Sequence, residues 1–211
     1  MSDQNKSEKL ANTSHVIIDP GTAAPAPSSR PLSSIWRFIC TNWLKLGGWK
    51  IEGSWPDHKK MVVIAAPHTS NWDGINMLAA AGHYRIKLNW MGKKSLVEGP
   101  FGGFVRWLGC VPVDRSANND LVQQMTDAFA QRDEMVLAIP PEGTRSKTKG
   151  WKTGYYYIAH QARVPILMTV LDYGSKTIRV SGTLMPSGEY DTDLPIILTH
   201  YDGAKGKFSD R

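Results

Sequence analysis

A single α/β domain, with a largely parallel or mixed central sheet flanked by helices, is the fold class this sequence predicts. Two observations carry it. Short apolar runs rich in Val, Ile and Leu recur along the chain, and several are separated by segments whose apolar residues fall at helical spacing. A chain of 211 residues with 41% hydrophobic content is also long enough to bury the core such a sheet needs. No internal repeat interrupts the alternation.

Residues 1–30 stand apart. They are rich in Asn, Ser, Thr, Ala and Pro, and their charges cancel, Lys6, Lys9 and Arg30 against Asp3, Glu8 and Asp19. The composition predicts a flexible tail, without the basic start and apolar core of a signal peptide. The net charge of +6 therefore belongs to residues 31–211. Residues 31–49 predict an amphipathic helix. Leu32, Ile35, Trp36, Ile39 and Trp43 share one face, widened by Phe38, Leu44 and Leu46, against a narrow polar stripe of Ser34, Arg37, Thr41 and Lys45. The stretch is shorter than the roughly 20 apolar residues that cross a bilayer. Two tryptophans with Arg and Lys suit a membrane interface, and the same face suits packing on a core; the residues alone leave both open.

Residues 50–211 predict the folded domain. Strands are expected at 50–53, 62–66, 86–91, 111–114, 136–139, 166–171 and 177–181, and helices at 72–82, 118–132 and 154–162. The helix at 118–132 is the clearest, with Leu121, Val122, Met125, Ala128 and Phe129 at helical spacing.

Three strand ends carry chemistry. The first run ends in Pro67, which stops the ladder and delivers His68-Thr69-Ser70-Asn71-Trp72-Asp73 to a loop at the strand's carboxyl end, where open α/β sheets bind ligands. Ser70 or Asn71 is placed to cap the next helix, and Asp73 then falls in its first turn. A carboxylate accepting from one imidazole nitrogen leaves the other free to take a proton from a hydroxyl. A plain first-turn acid beside a loop histidine is the alternative. Pro140-Pro141-Glu142-Gly143-Thr144-Arg145-Ser146 follows a second apolar run. Gly143 permits close backbone approach, Thr144 and Ser146 supply hydroxyls, and Arg145 offers a planar fork suited to phosphate. Glu142 is placed to hold Arg145 or to accept from a substrate hydroxyl. A solvated Pro-Gly turn is the alternative. Gly109-Cys110-Val111-Pro112-Val113-Asp114-Arg115 is the third, a short strand ending in an acid and a base.

In this order and spacing the three segments resemble the glycerolipid acyltransferase family, which includes lysophosphatidic acid acyltransferases. Its motifs are His-x-x-x-x-Asp, Gly-x-x-x-Ile/Val-Asp-Arg and Pro-Glu-Gly-Thr-Arg-Ser, and a fourth block is matched by Val164-Pro165-Ile166. The resemblance covers roughly residues 60 to 170. It implies transfer of an acyl group from acyl-CoA or acyl carrier protein to a hydroxyl of a lysophospholipid, 1-acylglycerol-3-phosphate foremost. It further implies His68 as general base, Asp73 as its orienting partner, and Arg115, Glu142, Gly143, Thr144 and Arg145 around the acceptor phosphate. The expected mechanism is direct attack without an acyl-enzyme, with backbone amides at the start of the helix after His68 stabilising the oxyanion. Pro67 stands where the family often has Asn, Pro140 where it often has Phe, and Met168 where a Pro often follows. These departures spare the chemistry and bear on which acceptor is used.

No metal site is expected, since His58 and His83 lack ligand spacing relative to the loop, and no cofactor beyond the acyl thioester donor is implied. Arg85, Lys87, Lys93, Lys94, Arg106 and Arg115 outnumber Glu98 and Asp114 between residues 83 and 115, so an acidic partner is expected, anionic lipid, a CoA phosphate or a carrier protein. No motif points to nucleic acid. Phe101, Phe104, Val105, Trp107 and Leu108 beside that patch suit an acyl-chain groove or a core. Cys40 and Cys110 are too few for a disulfide framework, which points to a reducing cytoplasm. The expectation is a peripheral enzyme on the cytoplasmic face of a membrane, with no spanning segment. An acyltransferase on another acceptor, a lyso-aminolipid or glycerol phosphate, a hydrolase or thioesterase using His68 to activate water, and a noncatalytic lipid-phosphate-binding protein are the rival functions.

Overall fold

The computed structural model describes residues 33–114, 121–146 and 150–208. In chain order the elements are α1 (Ser33–Leu46), β1 (Lys50–Glu52), β2 (Lys60–Ala66), α2 (Asn71–His83), β3 (Leu88–Lys93), α3 (Lys94–Glu98), α4 (Gly102–Trp107), β4 (Cys110–Val113), α5 (Leu121–Ala130), β5 (Met135–Ile139), α6 (Gly154–Ala162), β6 (Ile166–Asp172), β7 (Thr177–Leu184) and α7 (Tyr190–Thr199). The seven strands form one sheet in the order β1-β7-β6-β2-β5-β3-β4. The predicted tail at 1–30, Leu32, Arg115 and the start of the helix at 118 lie outside the described residues.

Strand β2 is central because both of its faces are apolar. Val62 and Ile64 enter a core with Met125, Phe129, Tyr155 and Ile158, while Met61 and Val63 enter a second core with Leu44, Met77, Leu167 and Ile178. Helices α5, α6 and α7 cover the first face and α1 and α2 the second. Double-sided burial is why the central strands read as continuous apolar runs. β2 pairs in parallel with β5 on one side and β6 on the other.

The sheet is mixed at one edge. β7 runs antiparallel to β6, with an irregularity between Met168 and Thr169, and β1 pairs in parallel with β7. Three helices escaped the sequence reading. α3 and α4, five and six residues long, are too short to show a period and lie among glycines. α7 carries Pro195 in its interior, which masks a helical pattern.

Helix α1 packs on the sheet domain and also keeps an apolar surface exposed. Cys40 and Leu44, one turn apart, are buried against the sheet domain. Gly82 of α2 allows the close approach, since a Cβ there would run into Cys40 Sγ. Of the predicted face, Trp36 lies against Gly82 and Trp43 bonds Asn76, both on α2, so these two are partly covered. Ile35 and Ile39 stay exposed, as do Phe38 at 69% and Leu46 at 91%. The exposed apolar surface extends beyond α1. Trp43 stacks on Trp72 at 6.3 Å, and Trp36 meets Trp107 of α4 edge-on at 6.1 Å. Phe101, Phe104 and Trp107, expected in a groove or core, are likewise exposed. Among the described residues no helix is long and apolar enough to cross a membrane.

Candidate active site

Neighbouring parallel strands bring three separate chain segments to one edge of the sheet. β2 leads into His68, β5 into the 140–146 loop and β6 into Tyr173, with β2 in the middle. α2 leaves β2 toward the second core and α6 leaves β5 toward the first, so the carboxyl ends of β2 and β5 are where the chain parts to opposite faces of the sheet, the usual place for a ligand in open α/β sheets. The cavity lined by His58, Lys60, Asp133, Arg163 and Pro165 opens at the opposite, amino ends of these strands.

His68 is half-buried, and its Nδ1 lies 3.3 Å from Asp73 Oδ2. An ionised carboxylate only accepts, so it favours the proton on Nδ1 and leaves Nε2 as the basic nitrogen. Asp73 is 2% exposed and sits at the third position of α2, whose N-cap is Ser70. Its Oδ2 accepts from the backbone N–H groups of Thr69 and Ser70, both at 2.7 Å. Its Oδ1 accepts from Ser70 Oγ at 2.7 Å and from Tyr173 OH at 2.6 Å. The two readings of Asp73 are thus not alternatives, because it completes a helix cap and faces the imidazole with the same carboxylate. Burial alone would raise its pKa. The hydrogen bonds from His68, Tyr173 and Ser70 outweigh that and hold it at about 2. Burial and the bond to Asp73 push the Tyr173 hydroxyl up to about 12, so it remains a donor.

The N–H groups of Thr69 and Ser70 are taken by Asp73, and that of His68 is taken by Glu142 Oε1 at 3.1 Å. The amides the expectation concerns, those at the start of α2 from Asn71 on, are not engaged by these bonds. The positive end of α2 still points at this edge.

The 140–146 loop is held differently. Gly143 adopts φ 66, its N–H donating to Pro140 O at 3.1 Å, and the Lys152 side chain crosses its face. Arg145 donates to Asn71 Oδ1, which carries the loop onto the first residue of α2. Gly143, Thr144, Arg145 and Ser146 are all exposed. Glu142 does not hold Arg145, as one sequence reading had it. Its Oε1 is bonded to the His68 backbone, and its buried Oε2 has no hydrogen-bond partner among the described residues. Burial pushes its carboxyl up, partly offset by backbone hydrogen bonds. Arg115 is outside the described residues. Its strand, β4, is three positions from β2, roughly 14 Å at the usual strand spacing.

Three contributors were not singled out in the sequence. Tyr173 follows directly on β6, so the strand-end rule that picked out His68 would have found it. Asn71 was assigned only as a helix cap. Residues 205–208 return over the site, with Phe208 N donating to Thr69 Oγ1 at 3.3 Å and Lys207 Nζ 5.0 Å from the Trp72 ring centre. Nothing local marks such a return.

The acyltransferase family model matches residues 50–171 of this chain. A 1-acyl-sn-glycerol-3-phosphate acyltransferase of Haemophilus influenzae is 30% identical over 135 residues, 59% of this chain and 55% of that protein. The Escherichia coli protein of the same name is 30% identical over 126 residues, 56% of this chain and 50% of its own length. The chain thus spans about half the length of the curated relatives it matches. Among solved structures, a 1-acyl-sn-glycerophosphate (LPA) acyltransferase from Thermotoga maritima shares the fold, with TM-score 0.57 over 95% of this chain and 79% of that one at 16% identity.

Proposed function

The chain belongs to the acyltransferase family, and from that premise we propose that it moves a fatty acyl group from a thioester, acyl-CoA or acyl carrier protein, to the hydroxyl of 1-acylglycerol-3-phosphate. The observation that carries this reading is the pairing of His68 with a buried, ionised Asp73 beside the exposed, Arg145-bearing loop. His68 Nε2 accepts the acceptor's hydroxyl proton as that oxygen bonds to the thioester carbonyl carbon. When the tetrahedral adduct collapses, the C–S bond breaks and the imidazolium returns the proton to the departing thiolate. No enzyme-bound acyl group is formed. Asp73 fixes the tautomer and steadies the transient imidazolium.

Arg145 supplies charge-assisted hydrogen bonds to the acceptor phosphate, with Arg115, Thr144 and the Gly143 backbone beside it. Glu142 does not suit a place against that phosphate as an anion. Its role is to anchor the His68 backbone to the phosphate loop. The exposed apolar surface of α1, Trp72, Phe104 and Trp107, with Lys93, Lys94 and Arg106 nearby, faces an anionic bilayer that supplies the acceptor.

The test incubates the purified protein with a long-chain acyl-CoA and lysophosphatidic acid on phosphatidylglycerol vesicles and follows the lipids by mass spectrometry. Wild type should form phosphatidic acid, and His68→Ala should lose at least about a thousandfold in turnover. Free fatty acid as the sole product would make it a hydrolase. Equal lipid binding by both proteins without turnover of any acceptor in a lysophospholipid panel would make it a binding protein.

A further inference from the structure

Resting on the reading of His68 as the proton acceptor, we propose that Tyr173 is a positioning residue for the His68–Asp73 pair, and that Asn76 and Trp43 tie that pair to the apolar-faced helix α1. Four polar contacts run in series. Trp43 Nε1 on α1 donates to Asn76 Oδ1 at 3.3 Å, Asn76 Nδ2 donates to Tyr173 OH at 3.3 Å, and Tyr173 OH donates to Asp73 Oδ1 at 2.6 Å. The other carboxylate oxygen of Asp73 faces His68 Nδ1 at 3.3 Å.

The direction of the chain follows from what each group can do. An indole N–H only donates, a carboxylate only accepts, and the amide and the phenol between them each accept on one side and donate on the other. Asn76 lies three residues after Asp73, hence on the same side of α2, and is buried at 5% exposure. A buried amide demands partners, and this one has one on each side. Trp49, three residues beyond the end of α1, packs edge-on against the Tyr173 ring at 4.8 Å and fixes its plane. Trp43 also stacks on Trp72, the residue before Asp73.

The consequence is mechanical. Tyr173 pins Oδ1, so Oδ2 stays turned to the imidazole, and α1 sets where Tyr173 can sit. A shift of α1 on an apolar surface reaches the proton-transfer pair through two side chains.

Tyr173→Phe and Trp43→Phe each remove one donor and keep an aromatic ring, and the pair of them makes a double-mutant cycle. On phosphatidylglycerol vesicles with acyl-CoA and lysophosphatidic acid, Tyr173→Phe should lower kcat roughly tenfold with both KM values within about twofold, and Trp43→Phe roughly threefold. The double variant should be no slower than Tyr173→Phe alone. An unchanged kcat in Tyr173→Phe overturns the positioning role, and effects that multiply overturn the link to α1. Nitrogen-15 NMR of the His68 ring provides a readout that needs no turnover. The hydrogen-bonded Nδ1–H signal should weaken in Tyr173→Phe and, less, in Trp43→Phe, and a wild-type spectrum in both folded variants overturns the proposal. If wild type transfers no acyl group, the functional reading falls and the NMR comparison still decides the positioning claim.

Discussion

The loop from His68 to Asp73 and the loop from Glu142 to Ser146 lie side by side at the same sheet edge, yet they are built in opposite ways. In the first, Asp73 is buried and its two oxygens accept from two backbone amides and two hydroxyls while facing the imidazole. In the second, four consecutive residues are exposed and the buried Glu142 Oε2 has no partner among the described residues. The half that would move a proton is preorganised by the protein. The half that would bind an anion leaves its side chains exposed, where a phosphate can reach them. Preorganisation matters most where charge develops in a transition state, and open donors where a ligand must enter and leave.

Asp73→Asn tests the contrast hardest. It keeps the shape but forces one amide group among donors, so turnover should fall by about three to four orders of magnitude and stability by about 3 kcal/mol, read by urea unfolding. The pH dependence has a definite sign. Asp73 sits at about 2, below the ordinary carboxylate value of 3.8, so its stabilising contribution is fully present above about pH 4 and is lost as pH falls toward 2. Wild type should therefore lose stability across that window more steeply than Asp73→Asn. Equal slopes would mean that the carboxylate is not held as described.

Arg145→Ala comes next. Its acceptor KM should rise roughly tenfold, with the unfolding free energy within about 0.5 kcal/mol of wild type, because an exposed side chain is removed. A clear loss of stability would break the comparison by making the second loop as structural as the first. Glu142→Gln has a predicted sign in the other direction from Asp73. A carboxyl whose pKa is raised by burial is destabilising when ionised, so the variant should be at least as stable as wild type at pH 7. That advantage should fade as pH drops through the raised pKa toward the ordinary carboxylate range, as a pH series of unfolding curves would show. The smallest effect belongs to Thr144→Ala, where an exposed hydroxyl accepts from Ser146 N at 3.3 Å. A rise in acceptor KM of up to about threefold, with kcat unchanged, is expected from steady-state kinetics.

Most of the sheet was legible because its strands are buried on both faces and read as apolar runs: residues 62–66 and 136–139 fall within β2 and β5 as formed. The pairing of His68 with Asp73 was legible for a local reason, since a cap at Ser70 dictates where the third helical residue points. What escaped was non-local or masked. The edge reversal at β7 depends on pairing rather than pattern, α7 was hidden by Pro195, and α1 turned Cys40 inward beside the predicted Leu44 while Ile35 and Ile39 of the predicted face stayed exposed.

The sequence by itself determined an α/β sheet, a His–Asp pair five residues apart, a Gly-Thr-Arg-Ser loop at a strand end and the family resemblance that the motif order carries, because each is written in residues close along the chain. Tertiary structure decided which strands are neighbours. It set Glu142 against the His68 backbone across 74 residues and Tyr173 against Asp73 across 100, since contacts at such separations follow from strand order and register.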